Sequence, residues 1–158
     1  MSRPVALVED EKEKASALLE ELAANGIGKD KVDVFANVRD AVLAVRNHDY
    51  KLIILDVSLP TFAPSGMSGS AGRAQQQSGG LEVLRALGDI GKQPKVIVIT
   101  QYPDILFGDE SIKLEEVCEY AMQRYEQSVL QAILYRQSDN QAWQNKLKQA
   151  LRDGQCKF

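Results

Sequence analysis

The ten residues KLIILDVSLP, Lys51 to Pro60, decide the fold of this chain. Residues 52–55 are aliphatic without alternation, which is typical of a strand buried on both faces of a parallel sheet. The run ends in one carboxylate, Asp56, which we expect where the strand ends because an unpaired buried charge is costly. Asp56 either caps the following loop or is a reactive group at the carboxyl edge of the sheet, where open α/β folds bind ligands.

The composition is that of one soluble globular domain. The 158 residues are 44% hydrophobic and 26% charged, and a net charge of −3 without a broad basic region argues against direct nucleic-acid binding. No apolar run is long enough for a membrane span, and the N-terminal MSRPVALVEDE lacks the core of a signal peptide. Cys118 and Cys156 have no metal-ligand spacing, so we expect a reduced, cytoplasmic protein that does not bind membranes.

Strand and helix patterns alternate along the chain. Besides 52–55, the predicted strands are VALV (Val5–Val8), KVDVFAN (31–37), KVIVIT (Lys95–Thr100) and VLQAILYR (Val129–Arg136). Apolar residues at helical spacing predict helices at 15–25, 38–45, 81–87, 114–125 and 142–151. Because strict alternation requires crossover connections, the chain is predicted to be an α/β protein with a five-stranded parallel sheet flanked by helices.

One segment breaks this alternation. Residues 61–79 are rich in Gly, Ser and Gln and show no apolar periodicity, so we expect a flexible insertion there. The predicted organisation is one domain over 1–154 that contains this insertion, followed by a short tail over 155–158.

Reactive side chains follow three of the predicted strands. Glu9 and Asp10 come after the first strand, Asp56 after the third, and Thr100 ends the fourth. Parallel strands end at one edge, where three carboxylates repel one another unless a cation lies among them, and Mg²⁺ prefers such oxygen ligands. A carboxylate beside that ion can attack a phosphoryl group and form an aspartyl-phosphate, with the Thr100 hydroxyl donating to a phosphoryl oxygen.

Four motifs in order resemble the receiver domain of two-component response regulators: VALVEDE, LIILDVSLP, GGLEVLRAL and VIVIT. The resemblance covers nearly the whole chain and implies the doubly wound, flavodoxin-like sheet of that family. It identifies Asp56 as the phosphoacceptor and Glu9 and Asp10 as the metal-binding pair. The backbone carbonyl of Ser58 would complete the Mg²⁺ ligands, and the hydroxyl of Thr100 would move toward the phosphoryl group.

The resemblance also implies a function and partners. A receiver takes its phosphoryl group from a histidine kinase or phosphotransfer protein and signals to a downstream protein partner. Many receivers also pair through the face of their fourth helix, fifth strand and fifth helix, which allows a homodimer. We therefore expect a signalling domain rather than an enzyme, with at most self-phosphorylation and self-dephosphorylation.

The chain departs from the family near its fifth strand. Receivers carry a lysine at the end of that strand, and the matching residue here is Arg136, whose planar guanidinium is not equivalent to an ammonium. A second register makes EYAMQ the fifth strand and leaves Gln123 at the cation position, but it destroys the helical stripe at 114–125. Ile133 stands where an aromatic residue is usual, and Tyr135 is expected on the opposite face. The fourth helix is also expected to be longer than usual.

Other functions on the same architecture fit less well. A degenerate receiver could act as a phosphorylation-independent protein-interaction module, and this alternative stays open. A phosphatase of the haloacid dehalogenase type needs a second acid where Ser58 stands. A flavin or dinucleotide site needs a glycine- or hydroxyl-rich loop after the first strand, where the acidic EDEKEK would repel phosphate.

Overall fold

The computed structural model describes residues 3–57, 79–107 and 110–158. The strands are β1 (Val5–Val8), β2 (Val32–Phe35), β3 (Leu52–Leu55), β4 (Lys95–Thr100), β5 (Asp104–Phe107), β6 (Glu110–Lys113) and β7 (Val129–Leu134). The helices are α1 (Lys12–Ala24), α2 (Val38–Asn47), α3 (Leu81–Asp89), α4 (Val117–Tyr125) and α5 (Asn140–Asp153). None of these helices has the length and apolar character needed to cross a membrane.

Five strands form one parallel sheet in the order β2-β1-β3-β4-β7. The predicted five-stranded parallel sheet is therefore confirmed. Its last strand lies within the predicted 129–136, and residues 117–125 are helical. The alternative register, with a strand at EYAMQ, is wrong because α4 buries Val117 and Ala121 at helical spacing.

Helices cover both faces of the sheet. One cluster of buried residues joins α2, α3 and α4 to the sheet, and a second joins α1 and α5 to the other face. Every residue of β1 and of β3 is buried, as their unbroken aliphatic runs predict for strands covered on both sides. In β1, Ala6 and Val8 belong to the first cluster, whereas Val5 and Leu7 belong to the second.

The strand register places three strand ends close together. Val8 of β1 is opposite Leu55 of β3, and Leu55 is in turn opposite Val98 of β4. The ladder continues beyond β3, because the Asp56 N–H donates to the Val8 carbonyl at 3.1 Å. The residues that follow β1 and β3, and the last residue of β4, therefore meet at the carboxyl edge.

A small hairpin between β4 and α4 was not predicted from the sequence. Strands β5 and β6 pair in antiparallel orientation, and Ile105 and Ile112 pack into the first core cluster. The fourth helix is not lengthened as expected, because residues 114–116 of the predicted 114–125 form a 3₁₀ turn and α4 itself has 9 residues. The hairpin strands DILF and ESIK have four residues each, which is too short for a clear apolar period in the sequence.

Two further segments were predicted from the sequence, an insertion over 61–79 and a tail over 155–158. Apart from Gly79, the predicted insertion at 61–79 lies outside the described residues. Near the C terminus, Cys156 is buried and packs in the second cluster, with Phe158 partly buried against it.

Candidate functional site

The carboxyl edge of the sheet brings three acidic side chains together. Glu9, Asp10 and Asp56 each offer one carboxylate oxygen, and these oxygens lie within 4.8 Å of one another. Thr100, the last residue of β4, is fully buried beside this edge. The structure thus gathers the residues that the strand order predicts to lie together. Ser58, whose carbonyl was predicted as a metal ligand, lies outside the described residues.

The acidic residues differ in their access to solvent. Glu9 is 3% exposed and Asp56 is 6% exposed, whereas Asp10 is exposed at the mouth of the site. Gln101 lies at the same mouth, where its side-chain amide donates to Glu11 Oε2 at 2.8 Å. Of the three acids, Asp10 is therefore the most accessible to solvent.

A lysine that was not predicted as part of the site lies among the acids. Lys14, on the first turn of α1, is 0% exposed. Its Nζ forms ion pairs with Glu9 Oε1 at 2.7 Å and Asp56 Oδ2 at 3.2 Å. The ammonium also donates a hydrogen bond to the Ile99 carbonyl at 3.0 Å. Lys14 therefore connects the ends of β1, β3 and β4.

A signal for this lysine was present in the sequence. Lys14, Leu18 and Leu22 are spaced by four residues, so they share the inward face of α1, and all three are buried. Following the apolar stripe back by one turn would have predicted Lys14 on that face. The surrounding EDEKEK instead favours a solvated helix start, which is why the inward position was missed.

Burial and the neighbouring charges control the ionisation of Glu9. Burial raises the pKa of Glu9 to about 7; the positive charge of Lys14 opposes this rise, and the negative charge of Asp56 adds to it. The second Glu9 oxygen, Oε2, accepts the Glu11 N–H at 3.1 Å. Both oxygens of Glu9 are thus engaged, one by Lys14 and one by the backbone just before α1.

The side chains fit a divalent cation. When all three carboxylates are ionised and Lys14 is protonated, the cluster carries a formal charge of −2, which one Mg²⁺ would neutralise. All the acidic groups present hard oxygen ligands, and the exposed Asp10 leaves room for the waters that Mg²⁺ retains. The donor set of Glu9, Asp10 and Asp56 therefore suits Mg²⁺.

The structure does not bring Arg136 to Asp56. Arg136 is exposed beyond the end of β7, and its guanidinium forms no ion pair with another residue that the structure describes. The cation seen beside Asp56 comes instead from α1. The phosphoryl-binding role predicted for Arg136 stays a prediction.

Ile133 and Tyr135 lie on the same face of the sheet. Both are buried in the cluster that contains α1 and α5, so the expected placement of Tyr135 on the opposite face is wrong. Positions two apart in a strand share a face, and this alternation continues one residue past β7. The Tyr135 ring centroid lies 5.5 Å from Lys14 Nζ and 5.0 Å from the Trp143 ring centroid. Its N–H donates to the Thr100 carbonyl at 2.8 Å.

Gly80 allows α3 to approach the backbone next to Asp56. A Cβ added at this glycine would lie 2.4 Å from the Asp56 carbonyl oxygen and 2.6 Å from Val57 Cα. Any other residue would push α3 away from the acidic edge or displace Asp56. The requirement for glycine here is therefore one of space.

Comparison with known proteins gives the family. No family model matches the chain. It is 30% identical over 152 residues to the Detocs response regulatory protein DtcB of Vibrio alginolyticus, a match that covers 94% of this chain and 99% of that protein.

Solved structures give the fold. The Thermotoga maritima response regulator TrrA, crystallised with Mg²⁺-BeF, has a TM-score of 0.59 at 19% identity, covering 98% of this chain and 99% of that one. A CheY-like receiver domain protein from Methanospirillum hungatei has a TM-score of 0.58 at 15% identity, covering 99% and 98%. The Vibrio relative is a response regulatory protein that matches nearly the whole chain, and the acidic edge of the doubly wound sheet is consistent with that match. The chain belongs to the response regulators, with the fold of their receiver domain.

Proposed function

We propose that this chain is a receiver that accepts a phosphoryl group on Asp56 in a Mg²⁺-dependent reaction. The observation that carries the proposal is the acidic edge. Asp56 is a nearly buried carboxylate whose oxygens lie close to Glu9 and Asp10, and Thr100 ends the neighbouring strand. The complex of TrrA with Mg²⁺-BeF adds support, because that protein shares the fold.

The proposed reaction is an in-line transfer to a carboxylate. An oxygen of Asp56 forms the new bond to phosphorus while the bond between phosphorus and the donor's histidine nitrogen breaks, and the leaving imidazole takes up a proton from solvent. Mg²⁺, held by Asp10, Asp56 and the Ser58 carbonyl, would offset the charge of the phosphoryl oxygens. The Thr100 hydroxyl would donate a hydrogen bond to one of those oxygens.

The partners follow from this chemistry. A histidine kinase or a phosphotransfer protein supplies the phosphoryl group, and a downstream protein partner or a second copy of the chain responds to it. Two cations are candidates for pairing with the phosphoryl charge. One is the sequence-predicted Arg136, which is exposed, and the other is Lys14, which already contacts Asp56.

Intact mass measurement tests this proposal. Acetyl phosphate with Mg²⁺ should add one phosphoryl group to the wild type and none to Asp56→Asn. The matched control is Asp30→Asn, which alters an exposed aspartate in the turn before β2 and should be modified like wild type. An unmodified wild type at saturating donor and Mg²⁺ would contradict the proposal and favour the phosphorylation-independent interaction module.

A further inference from the structure

We infer that Lys14, carried by α1, is the cation that binds the phosphoryl group on Asp56, in place of a residue from the end of β7. This inference rests on the proposed function and assigns a residue to it. Lys14 Nζ lies 3.2 Å from Asp56 Oδ2, an oxygen of the carboxylate that would be phosphorylated. A group attached to this carboxylate is therefore within reach of the ammonium without movement of the helix.

The surroundings of Lys14 hold it at this position. Its side chain is fully buried, and its Nζ contacts Glu9, Asp56 and the Ile99 carbonyl, one from each of three strand ends. A buried ammonium that lost these acceptors would be strongly destabilised, so its range of positions is small. Lys14 is thus pre-organised beside the acceptor before any phosphoryl group arrives.

The change of charge at Asp56 gives Lys14 its role. Phosphorylation replaces a carboxylate of charge −1 by a group of charge about −2, which needs more positive charge nearby than before. Lys14 can keep one contact to Glu9 and donate to a phosphoryl oxygen, since an ammonium has three donors. Charge-assisted hydrogen bonds of this kind are the stronger ones, particularly away from water.

Arg136 is less well placed for this role. It is exposed, and its backbone carbonyl accepts the Asp139 N–H in the turn that leads away from β7. The side of Asp56 nearest β4 is already occupied by Lys14, which donates to the Ile99 carbonyl of that strand. In this chain the cation beside Asp56 is therefore supplied by Lys14 of α1, and no lysine follows directly after β7.

The test compares the phosphorylation rates of variants at two lysines of α1 and at Arg136. We would prepare Lys14→Gln, the matched control Lys12→Gln at an exposed position of α1, and Arg136→Gln. With acetyl phosphate and saturating Mg²⁺, the initial rate of phosphorylation should fall about tenfold to a hundredfold in Lys14→Gln, the range for one lost charged hydrogen bond. The rates of Lys12→Gln and Arg136→Gln should stay within about twofold of wild type, as expected for exposed charges.

A binding measurement separates this role from a structural one. In Lys14→Gln the affinity for Mg²⁺ alone should be unchanged or higher, because a neighbouring positive charge is removed, whereas the affinity for beryllofluoride with Mg²⁺ should fall. Lys14→Arg, which keeps the charge, should recover part of the beryllofluoride affinity. Equal loss of both affinities in Lys14→Gln would overturn the inference and leave Lys14 a structural residue.

A double variant in which one charge of each sign is removed serves as a control for misfolding of Lys14→Gln. If Lys14→Gln does not fold, Glu9→Gln/Lys14→Gln removes one charge of each sign and is compared with Glu9→Gln alone. Equal beryllofluoride affinity in those two variants would overturn the inference, as would a loss of phosphorylation in Arg136→Gln but not in Lys14→Gln. A wild type that is never modified contradicts the proposed function itself, and with it this inference. A modified wild type that is indifferent to Lys14 contradicts the inference alone.

Discussion

Lys14 and Lys92 hold helices in place at opposite ends of the sheet, and they do so in different surroundings. Lys14 is fully buried at the carboxyl edge and has two charged acceptors, Glu9 and Asp56. Lys92, just before β4, has a side chain 28% exposed and lies 2.8 Å from Asp49, whose own side chain is 88% exposed.

The other contacts of Lys92 are neutral. Its ammonium donates to the carbonyls of Val45 and His48, at 3.0 Å and 3.2 Å, and so satisfies the end of α2. The same chemical group thus serves two purposes. The partly exposed ammonium of Lys92 caps α2 with a modest gain in stability. The buried ammonium of Lys14 neutralises acids that would otherwise repel one another.

The largest effect is expected when the charge of Lys14 is removed. We expect Lys14→Met to reduce the free energy of unfolding by about 3–5 kcal/mol, because Glu9 and Asp56 are left buried without their partner. Urea unfolding followed by circular dichroism measures this loss. Adding Glu9→Gln to the variant should recover part of it, and a loss below about 1 kcal/mol would mean that water reaches these carboxylates.

A second substitution tests how tightly the acidic edge is packed. Gly80→Ala should cost about 1–3 kcal/mol of unfolding free energy, since the new methyl group would overlap the backbone of Asp56 and Val57. Thermal unfolding measures the effect, and Glu82→Ala, an exposed change on the same helix, is the control. A melting temperature equal to that of wild type would show that α3 can move away from the site.

The exposed acid of the same edge should matter for metal rather than for folding. Asp10→Asn should weaken Mg²⁺ binding about tenfold or more, because one charged oxygen ligand is lost from a site with few protein ligands. Isothermal titration with Mg²⁺ provides the affinity, and Asp40→Asn, at an exposed acid of α2, is the control. Equal affinities for Asp10→Asn and wild type would remove Asp10 from the proposed metal site.

The smallest effect is expected at the opposite end of the sheet. Lys92→Met should reduce the free energy of unfolding by about 1 kcal/mol through the lost contacts to the end of α2. Phosphorylation by acetyl phosphate should be unchanged, since this lysine is remote from Asp56. Urea unfolding and the mass assay check both points. A loss as large as that of Lys14→Met would show that burial does not explain the difference between the two lysines.

The sequence determined the sheet and the position of its acids. Unbroken aliphatic runs require cover on both faces, and the alternation with amphipathic helices leaves a parallel sheet as the arrangement that provides it. Since parallel strands end at one edge, acids placed after 5–8 and 52–55 had to meet. The predicted roles of these residues follow from that geometry together with the resemblance to receivers.

Only the tertiary structure decided which cation lies beside Asp56. The spacing of Lys14 with Leu18 and Leu22 gives its face of α1, but its contact with Asp56 depends on how α1 packs on β1, β3 and β4. The same holds for the hairpin, whose short strands are stabilised by the placement of Ile105 and Ile112 against the core. Sequence patterns report periodicity along one element, whereas the partner of a buried charge is set by contacts between elements far apart in the chain.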